Sequence, residues 1–250
     1  MKKTILPLVL GFASLSFGVL PAVNGSGDAA TAISHTHNER SSLDFTSGYA
    51  SLEAKASALY EEAGLDKLGL SFNVLKYALR GYEKLKARGQ VKKDQILTVV
   101  DFSQSSRKKR MYIIDVENRE VLVNTWVAHG KNTGLDKATR FSNRPESLQS
   151  SLGFYVTEHT YYGKHGLSLR LDGKERGYND KAMARAIVLH GANYIGKHRL
   201  NSGYMGRSWG CPAVPREVSA KVINLLKNGS CLFIYHPSNS YLHGSRLLNG

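Results

Sequence analysis

The chain has no H-E-x-x-H motif and no comparable close histidine pair outside its N-terminal tail. Its nine histidines therefore do not read as the ligand set of a zinc hydrolase. Zinc-finger spacing is missing, as is the aromatic motif of an RNA-binding sheet. No internal repeat is visible. Proline is sparse, six residues in 250, and nothing in the composition suggests a linker between residues 96 and 237, so that span reads as one unit. Acidic residues are the scarce charge: 20 Asp and Glu face 34 Lys and Arg, a formal net charge of +14. Such a balance favours anionic partners.

Only one apolar run is long, ILPLVLGFASLSFGVL at 5–20, and it follows Lys2 and Lys3 and precedes the small residues of PAVNGSGDAA. That is the layout of a secretory signal peptide over 1–25, cut before Ser26, with Ala22 as another end point. The run is too short and too poorly flanked for a transmembrane anchor, and no cysteine lies near the cut to carry a lipid, so the expectation is export with no stable membrane span after signal cleavage. Losing Lys2 and Lys3 leaves 32 Lys and Arg against 20 Asp and Glu, a net charge of +12. Export replaces nucleic acid as the expected partner with anionic envelope surfaces: phospholipid headgroups, lipopolysaccharide and cell-wall carboxylates. Taken singly, KKDQ and SRKKR read as solvated surface. Residues 26–43, small and polar and containing His35 and His37, read as a disordered lead-in.

Two amphipathic helices are expected over 44–90. Leu52, Ala56, Leu59, Tyr60 and Ala63 share one stripe that Gly64 ends. Ser71 is placed as an N-cap for a second stripe of Phe72, Leu75, Leu79 and Tyr82, stopped at Gly89. From Ile96 the period shortens. ILTVVDF, RMYIIDV, VLVNTWVAH, GFYVTEH, HGLSLRL, AIVLH and SCLFIYH are β-branched and aromatic, with polar or glycine-containing links, and predict a mainly β sandwich or barrel-like sheet over 91–237. One helix, in PREVSAKVINLLKNG, follows Cys211, and 238–250 read as a short terminal tail carrying His243.

The chemistry gathers between His190 and Pro212, HGANYIGKHRLNSGYMGRSWGCP. The strand AIVLH delivers His190 to a sheet edge, and Gly210-Cys211-Pro212 leads into the helix. A cysteine between a strand end and a helix start is favoured as thiolate by the helix dipole and by a nearby imidazole, and the backbone N–H groups of Gly210 and Cys211 suit an oxyanion. Cys211 is equally readable as an inert thiol or as half of a disulfide with Cys231, which lies in the apolar run SCLFIYHP. Spacing alone leaves these open. The turn VAHGKNTG places His129 at a strand end, where it reads as structural or as a cleft-edge turn, and the glycines around Tyr204 and Met205 suggest a mobile loop.

Ser208-Trp209-Gly210-Cys211, preceded by His190-Gly191 on a strand, resembles the active-site signature of the murein L,D-transpeptidases, cysteine enzymes that cross-link peptidoglycan. ILTVVDFS (96–103), KRMYIIDVENREVLVNTWVAHGKNTG (109–134) and SNRPESLQSSLGFYVTEHTYYGKHGLSLRLDG (142–173) also resemble a branch of that family, so the likeness spans residues 70 to 237. The widespread pattern is Ser/Thr-His-Gly-Cys followed by an apolar residue and Arg or Asn. This chain instead has Trp209 before Gly210 and Pro212-Ala213 after Cys211, which changes how substrate is positioned. Arg207 and Arg216 are candidates for the missing cation.

The resemblance implies a mostly β catalytic domain, Cys211 as nucleophile, His190 as base and Gly191 as the main-chain group that orients it. Gly210 and Cys211 would hold the oxyanion. His159, Tyr161, Tyr162 and His165 would flank the substrate cleft beside Ser208 and Trp209; Arg207, and Asn193 and Tyr194 just past His190, are further candidates for its lining by their place in the chain. It implies peptidoglycan stem peptides as partner, no metal or organic cofactor, and a place in the periplasm or cell envelope of a bacterium. The same cysteine would equally serve an L,D-carboxypeptidase or a hydrolase of peptidoglycan–protein links, because acceptor choice depends on cleft shape. A non-catalytic wall-binding protein with a Cys211–Cys231 disulfide is the remaining alternative.

Overall fold

A computed structural model describes residues 50–250. The expected signal peptide over 1–25, the expected lead-in over 26–43 and positions 44–49 of the expected helical segment lie outside the described residues. Helix α1 occupies 50–62 and α2 is Phe72–Ala87, with Ser71 at its N-cap position but no side-chain capping bond. Val74, Leu75, Ala78, Leu79, Tyr82 and Leu85 are buried on α2, while Phe72 packs at the margin of the core. The stripe is thus one helical turn deeper than its sequence outline, as expected for a helix whose stability comes from a buried face.

Eight strands follow: β1 Ile96–Asp101, β2 Met111–Asp115, β3 Glu120–Thr125, β4 Gly153–Gly163, β5 Gly166–Gly173, β6 Val188–Ala192, β7 Ala213–Pro215 and β8 Cys231–Tyr235. They form one sheet in the order β3-β2-β1-β8-β4-β5-β6-β7. β1 runs parallel to β8 and β6 parallel to β7, and the other pairs are antiparallel. β1, β2, β6 and β8 are buried along their whole length, which explains why they read as continuous apolar runs rather than alternating ones. Helix α2 packs on β1 and β8, and α3, Arg216–Leu226, packs on β5, β6 and β7.

The run VLVNTWVAH does not stay in one strand. β3 ends at Thr125, opposite Met111, where β2 begins and no further partner remains. The chain then crosses to the far edge, and Ala128 N–H donates to Ala213 O at 2.8 Å. This contact brings the two edge strands of the sheet together, so the sheet is nearly closed and barrel-like, and the exposed-edge problem is largely removed. A small apolar cluster of Trp126, Ala128, Ala192, Ile195, Met205 and Ala213 fills the crossing.

Residues 238–250 are more than a tail. Two short helices, α4 Asn239–Gly244 and α5 Arg246–Asn249, bury Tyr241, Leu247 and Leu248. The Glu175 carboxylate holds them: Oε2 accepts from Phe154 N–H and Tyr241 Oη, each at 2.8 Å, and Oε1 accepts from Ser245 Oγ. The segment looked like a tail because its apolar residues are few, yet Tyr241, Leu247 and Leu248 are in the core and Leu242 packs against it.

Candidate active site

His190 sits in β6 between two paired strands, opposite Ser168 of β5 and Ala213 of β7. Strand pairing on both sides fixes its backbone, and Gly191 fixes its depth. A Cβ on Gly191 would meet Ser219 Oγ of α3 at 2.4 Å, so only glycine lets the helix pack this close. The Gly191 carbonyl lies 3.0 Å from His190 Nδ1. A carbonyl only accepts, so Nδ1 carries the proton and Nε2 is left as a base. Burial draws the imidazole down to about 4, with the charges near His165, Arg216 and Lys164 acting the same way. The ring is therefore neutral at neutral pH.

Cys211 lies on the loop entering β7, and both it and His190 line one cavity of about 650 Å³. Its Sγ accepts from Val188 N–H at 3.5 Å. The expected helix dipole is not at the sulfur: β7 intervenes, and α3 starts at Arg216, more than one turn beyond Cys211, whereas such a field fades within the first turn. Burial instead pushes the thiol up. The N–H groups of Val188 and of Cys211 itself, with the charges on Arg185 and Lys164, pull back in the other direction. The resting pair is thus thiol and neutral imidazole, which corrects the expectation of a favoured thiolate. Both cysteines are free, and Cys231 is fully buried in β8, so the Cys211–Cys231 disulfide is absent.

The loop carrying Cys211 is tied from several sides. Ser208 N–H donates to His129 O at 2.9 Å, Lys131 N–H to Ser208 O at 2.8 Å, and Ser208 Oγ to Cys211 O at 2.6 Å. Gly210 N–H donates to Ser208 Oγ at 3.1 Å. The N–H expected as an oxyanion donor thus meets Ser208 Oγ in this structure. Gly210 has a φ of +124°, and a Cβ there would meet Gln149 O at 2.9 Å, so the turn requires glycine. His129 is structural. Its Nδ1 accepts from the fully buried Arg110 at 2.8 Å, and its Nε2 faces Gly134 O at 3.3 Å.

The other expected cleft residues divide. Tyr161, His165, Tyr194, Arg207, Ser208 and Trp209 do line the cavity. His165, at the tip of the β4–β5 hairpin, stacks on His190 with ring centroids 4.2 Å apart. Trp209 is 68% exposed, with Lys164 Nζ 4.8 Å above its ring. His159 does not belong to the cleft. It lies within the β4 bulge between Thr157 and Thr160, is exposed, and borders a separate cavity with Lys92 and Asn228. Asn193 also lies outside the lining, and its Oδ1 accepts from Arg216 Nε at 3.2 Å. Arg216 further donates to His165 O at 2.8 Å, so it braces the hairpin tip rather than facing the cavity. Tyr162 points to solvent. In the expected mobile loop, Met205 is buried and Tyr204 is flanked by Arg199 and Arg207.

Two cleft residues had no sequence signal. Lys164 sits in the two-residue hairpin turn, and Arg185 comes from the link between β5 and β6. Arg185 donates to Ser142 O at 2.8 Å, Gln149 O at 2.7 Å, Ser147 Oγ at 3.2 Å and Ser151 Oγ. All four acceptors are neutral, so its charge remains available to Cys211. Among the described residues no three His, Cys, Asp or Glu side chains converge as metal ligands, and no helix is long and apolar enough to cross a membrane.

The L,D-transpeptidase catalytic domain family model matches residues 66–235. No curated protein matches. Similar solved structures include an L,D-transpeptidase from Mycobacterium smegmatis, 13% identical, covering 57% of this chain and 59% of that one, with a TM-score of 0.35. An L,D-transpeptidase from Mycobacterium tuberculosis H37Rv is 15% identical, with coverages of 57% and 58% and a TM-score of 0.33. The helical cell shape determining protein Pgp2 from Campylobacter jejuni is 11% identical, with coverages of 64% and 54% and a TM-score of 0.39. The chain spans less than two thirds of the length of each.

Proposed function

Because the chain belongs to the L,D-transpeptidase catalytic domain family, we propose that it is an exported cysteine acyltransferase acting on peptidoglycan tetrapeptide stems. Cys211 Sγ attacks the carbonyl between the third residue, commonly diaminopimelate, and the terminal D-alanine, while His190 Nε2 takes the thiol proton. The tetrahedral oxyanion rests on the Cys211 N–H, a donor worth about 3 kcal/mol in comparable sites. The C–N bond then breaks, and D-alanine leaves with the proton from His190. The thioester is attacked by the side-chain amine of a second stem, whose proton passes to His190 as the C–S bond breaks. The product is a 3-3 cross-link, and water in place of the amine gives a tripeptide. No metal or organic cofactor takes part. A basic mature surface suits work in the periplasm or cell envelope, beside anionic envelope components.

The observation that carries this reading is the pairing in one cavity of a cysteine and a histidine kept neutral, with its Nδ1 held on the Gly191 carbonyl. The test is mass spectrometry of disaccharide-tetrapeptide fragments incubated with the protein and with Cys211→Ala. Cross-linked dimers lacking one D-alanine, absent with the variant, are expected. Tripeptide alone would assign an L,D-carboxypeptidase instead. Unchanged substrate with both proteins would overturn the assignment.

A further inference from the structure

A second cavity, about 830 Å³ and so larger than the one holding Cys211, opens where three separate segments converge: 139–144, 176–181, and 236–241 after β8. Its rim carries Arg144, Arg176 and Lys181, all exposed. None of the three forms an ion pair among the described residues. The one acid on the rim, Asp180, is already engaged, its Oδ1 accepting from Asn143 Nδ2 and Gly177 N–H, each at 2.7 Å. Both donors are neutral, so Asp180 keeps its charge beside Lys181, and the rim carries three cations against one carboxylate, a net positive charge.

Beneath them lies a ring-lined floor. Phe141 is tilted on His236 at 4.8 Å between centroids, and Tyr178 meets Tyr241 edge-on at 5.0 Å. Phe141, Tyr178 and His236 are each only partly buried, so ring surface remains open to a ligand. The combination of partly open aromatic surface with a rim of net positive charge suits a chain of pyranose rings bearing carboxylates, which offers both flat apolar C–H surface and negative charge. Neither element alone would select such a ligand.

One segment, 142–148, contributes to the lining of both this cavity and the catalytic cleft and is their common wall. Ser142, Asn143 and Arg144 face the second cavity, while Glu146 and Leu148 line the first. Arg185, itself in the catalytic cavity, pins this wall through Ser142 O and Gln149 O. We propose that the second cavity is a non-catalytic binding site for the carboxylate-bearing glycan–peptide polymer of the cell wall, holding a strand alongside the cleft in which stems react. This rests on the reading that the protein works on peptidoglycan.

The test separates the two claims. In a Cys211→Ala background, which removes turnover, the full chain is sedimented with purified sacculi at several salt concentrations. It is compared with a variant carrying Arg144→Gln, Arg176→Gln and Lys181→Gln. A control carries Arg88→Gln, Lys108→Gln and Lys221→Gln, three exposed cations elsewhere, so that both variants lose the same charge. Binding to sacculi is expected to weaken about tenfold in the first and less than about twofold in the control, with the difference shrinking as salt rises. With Cys211 restored, turnover of soluble disaccharide-tetrapeptide is expected to be equal in all three proteins. Equal loss of sacculus binding in both variants would overturn the proposal, as would loss of soluble turnover with the cavity variant alone. So would loss of binding to anionic phospholipid vesicles while sacculus binding stays intact. Should the triple variant melt early, Arg176→Glu alone, exposed and in no ion pair among the described residues, is expected to show the same selective loss. Absence of turnover by every version would count against the acyltransferase reading and leave the binding comparison readable.

Discussion

Replacing His190 with glutamine separates two ways in which a cysteine and a histidine cooperate. In a thiolate–imidazolium pair the histidine creates the thiolate before substrate arrives. In the arrangement seen here both groups rest neutral, because burial raises the Cys211 thiol above its ordinary 9.0 and draws the His190 imidazole down to about 4. Because burial pushes the thiol up, Cys211 rests as thiol rather than thiolate at neutral pH. Alkylation by iodoacetamide is therefore expected to be slow at neutral pH and to climb only in alkaline solution, without a neutral plateau. Cys231, fully buried, contributes nothing, and Cys211→Ala supplies the blank. His190→Gln is expected to change alkylation at pH 7 less than about threefold, while acylation by a tetrapeptide donor falls about 10²- to 10⁴-fold, the usual worth of a positioned base. Because the folded imidazole holds its proton only below about pH 4, the acid limb of acylation should lie near pH 4 rather than near 6.5. A plateau of alkylation between pH 6 and 8 that vanishes in His190→Gln would refute the neutral pair.

Arg185→Gln removes the cation facing Cys211 and the fork that pins the common wall. The alkylation profile is expected to move to higher pH and acylation to drop about tenfold, with Arg185→Lys restoring the profile but not the full rate, since lysine lacks the planar fork; an unchanged profile in Arg185→Gln would place its role in the wall alone. Glu175→Ala is expected to cost about 3 kcal/mol in urea unfolding, for three lost hydrogen bonds to Phe154, Tyr241 and Ser245, whereas Glu175→Gln, which can still bond Ser245, should cost less than half of that; equal costs would mean that packing rather than hydrogen bonding holds the C-terminal helices.

The sequence alone determined the mainly β class, the two helices ahead of the sheet and the helix after Cys211, because each rests on local periodicity that survives folding. It also singled out Cys211 and His190, the one through its glycine-flanked loop and the other through the apolar strand that ends at it. β7 escaped notice because three residues, Ala213–Pro215, carry no period. The C-terminal helices escaped because their burial depends on Glu175, some 70 residues earlier in the chain.

Tertiary structure alone decided the electrostatics and the membership of the cleft. Whether a thiol is raised or lowered depends on the solvent excluded around it and on charges such as Arg185 and Lys164, which come from distant segments. His159 and Tyr161 are two residues apart on one strand, yet only Tyr161 lines the catalytic cavity, because the bulge between Thr157 and Thr160 resets which side chain faces which way. Gly210 N–H, expected from its loop as an oxyanion donor, is met by Ser208 Oγ only through the fold of that loop. Sequence spacing fixes which groups are near each other along the chain, whereas their chemistry is set by what the closed sheet brings against them from elsewhere.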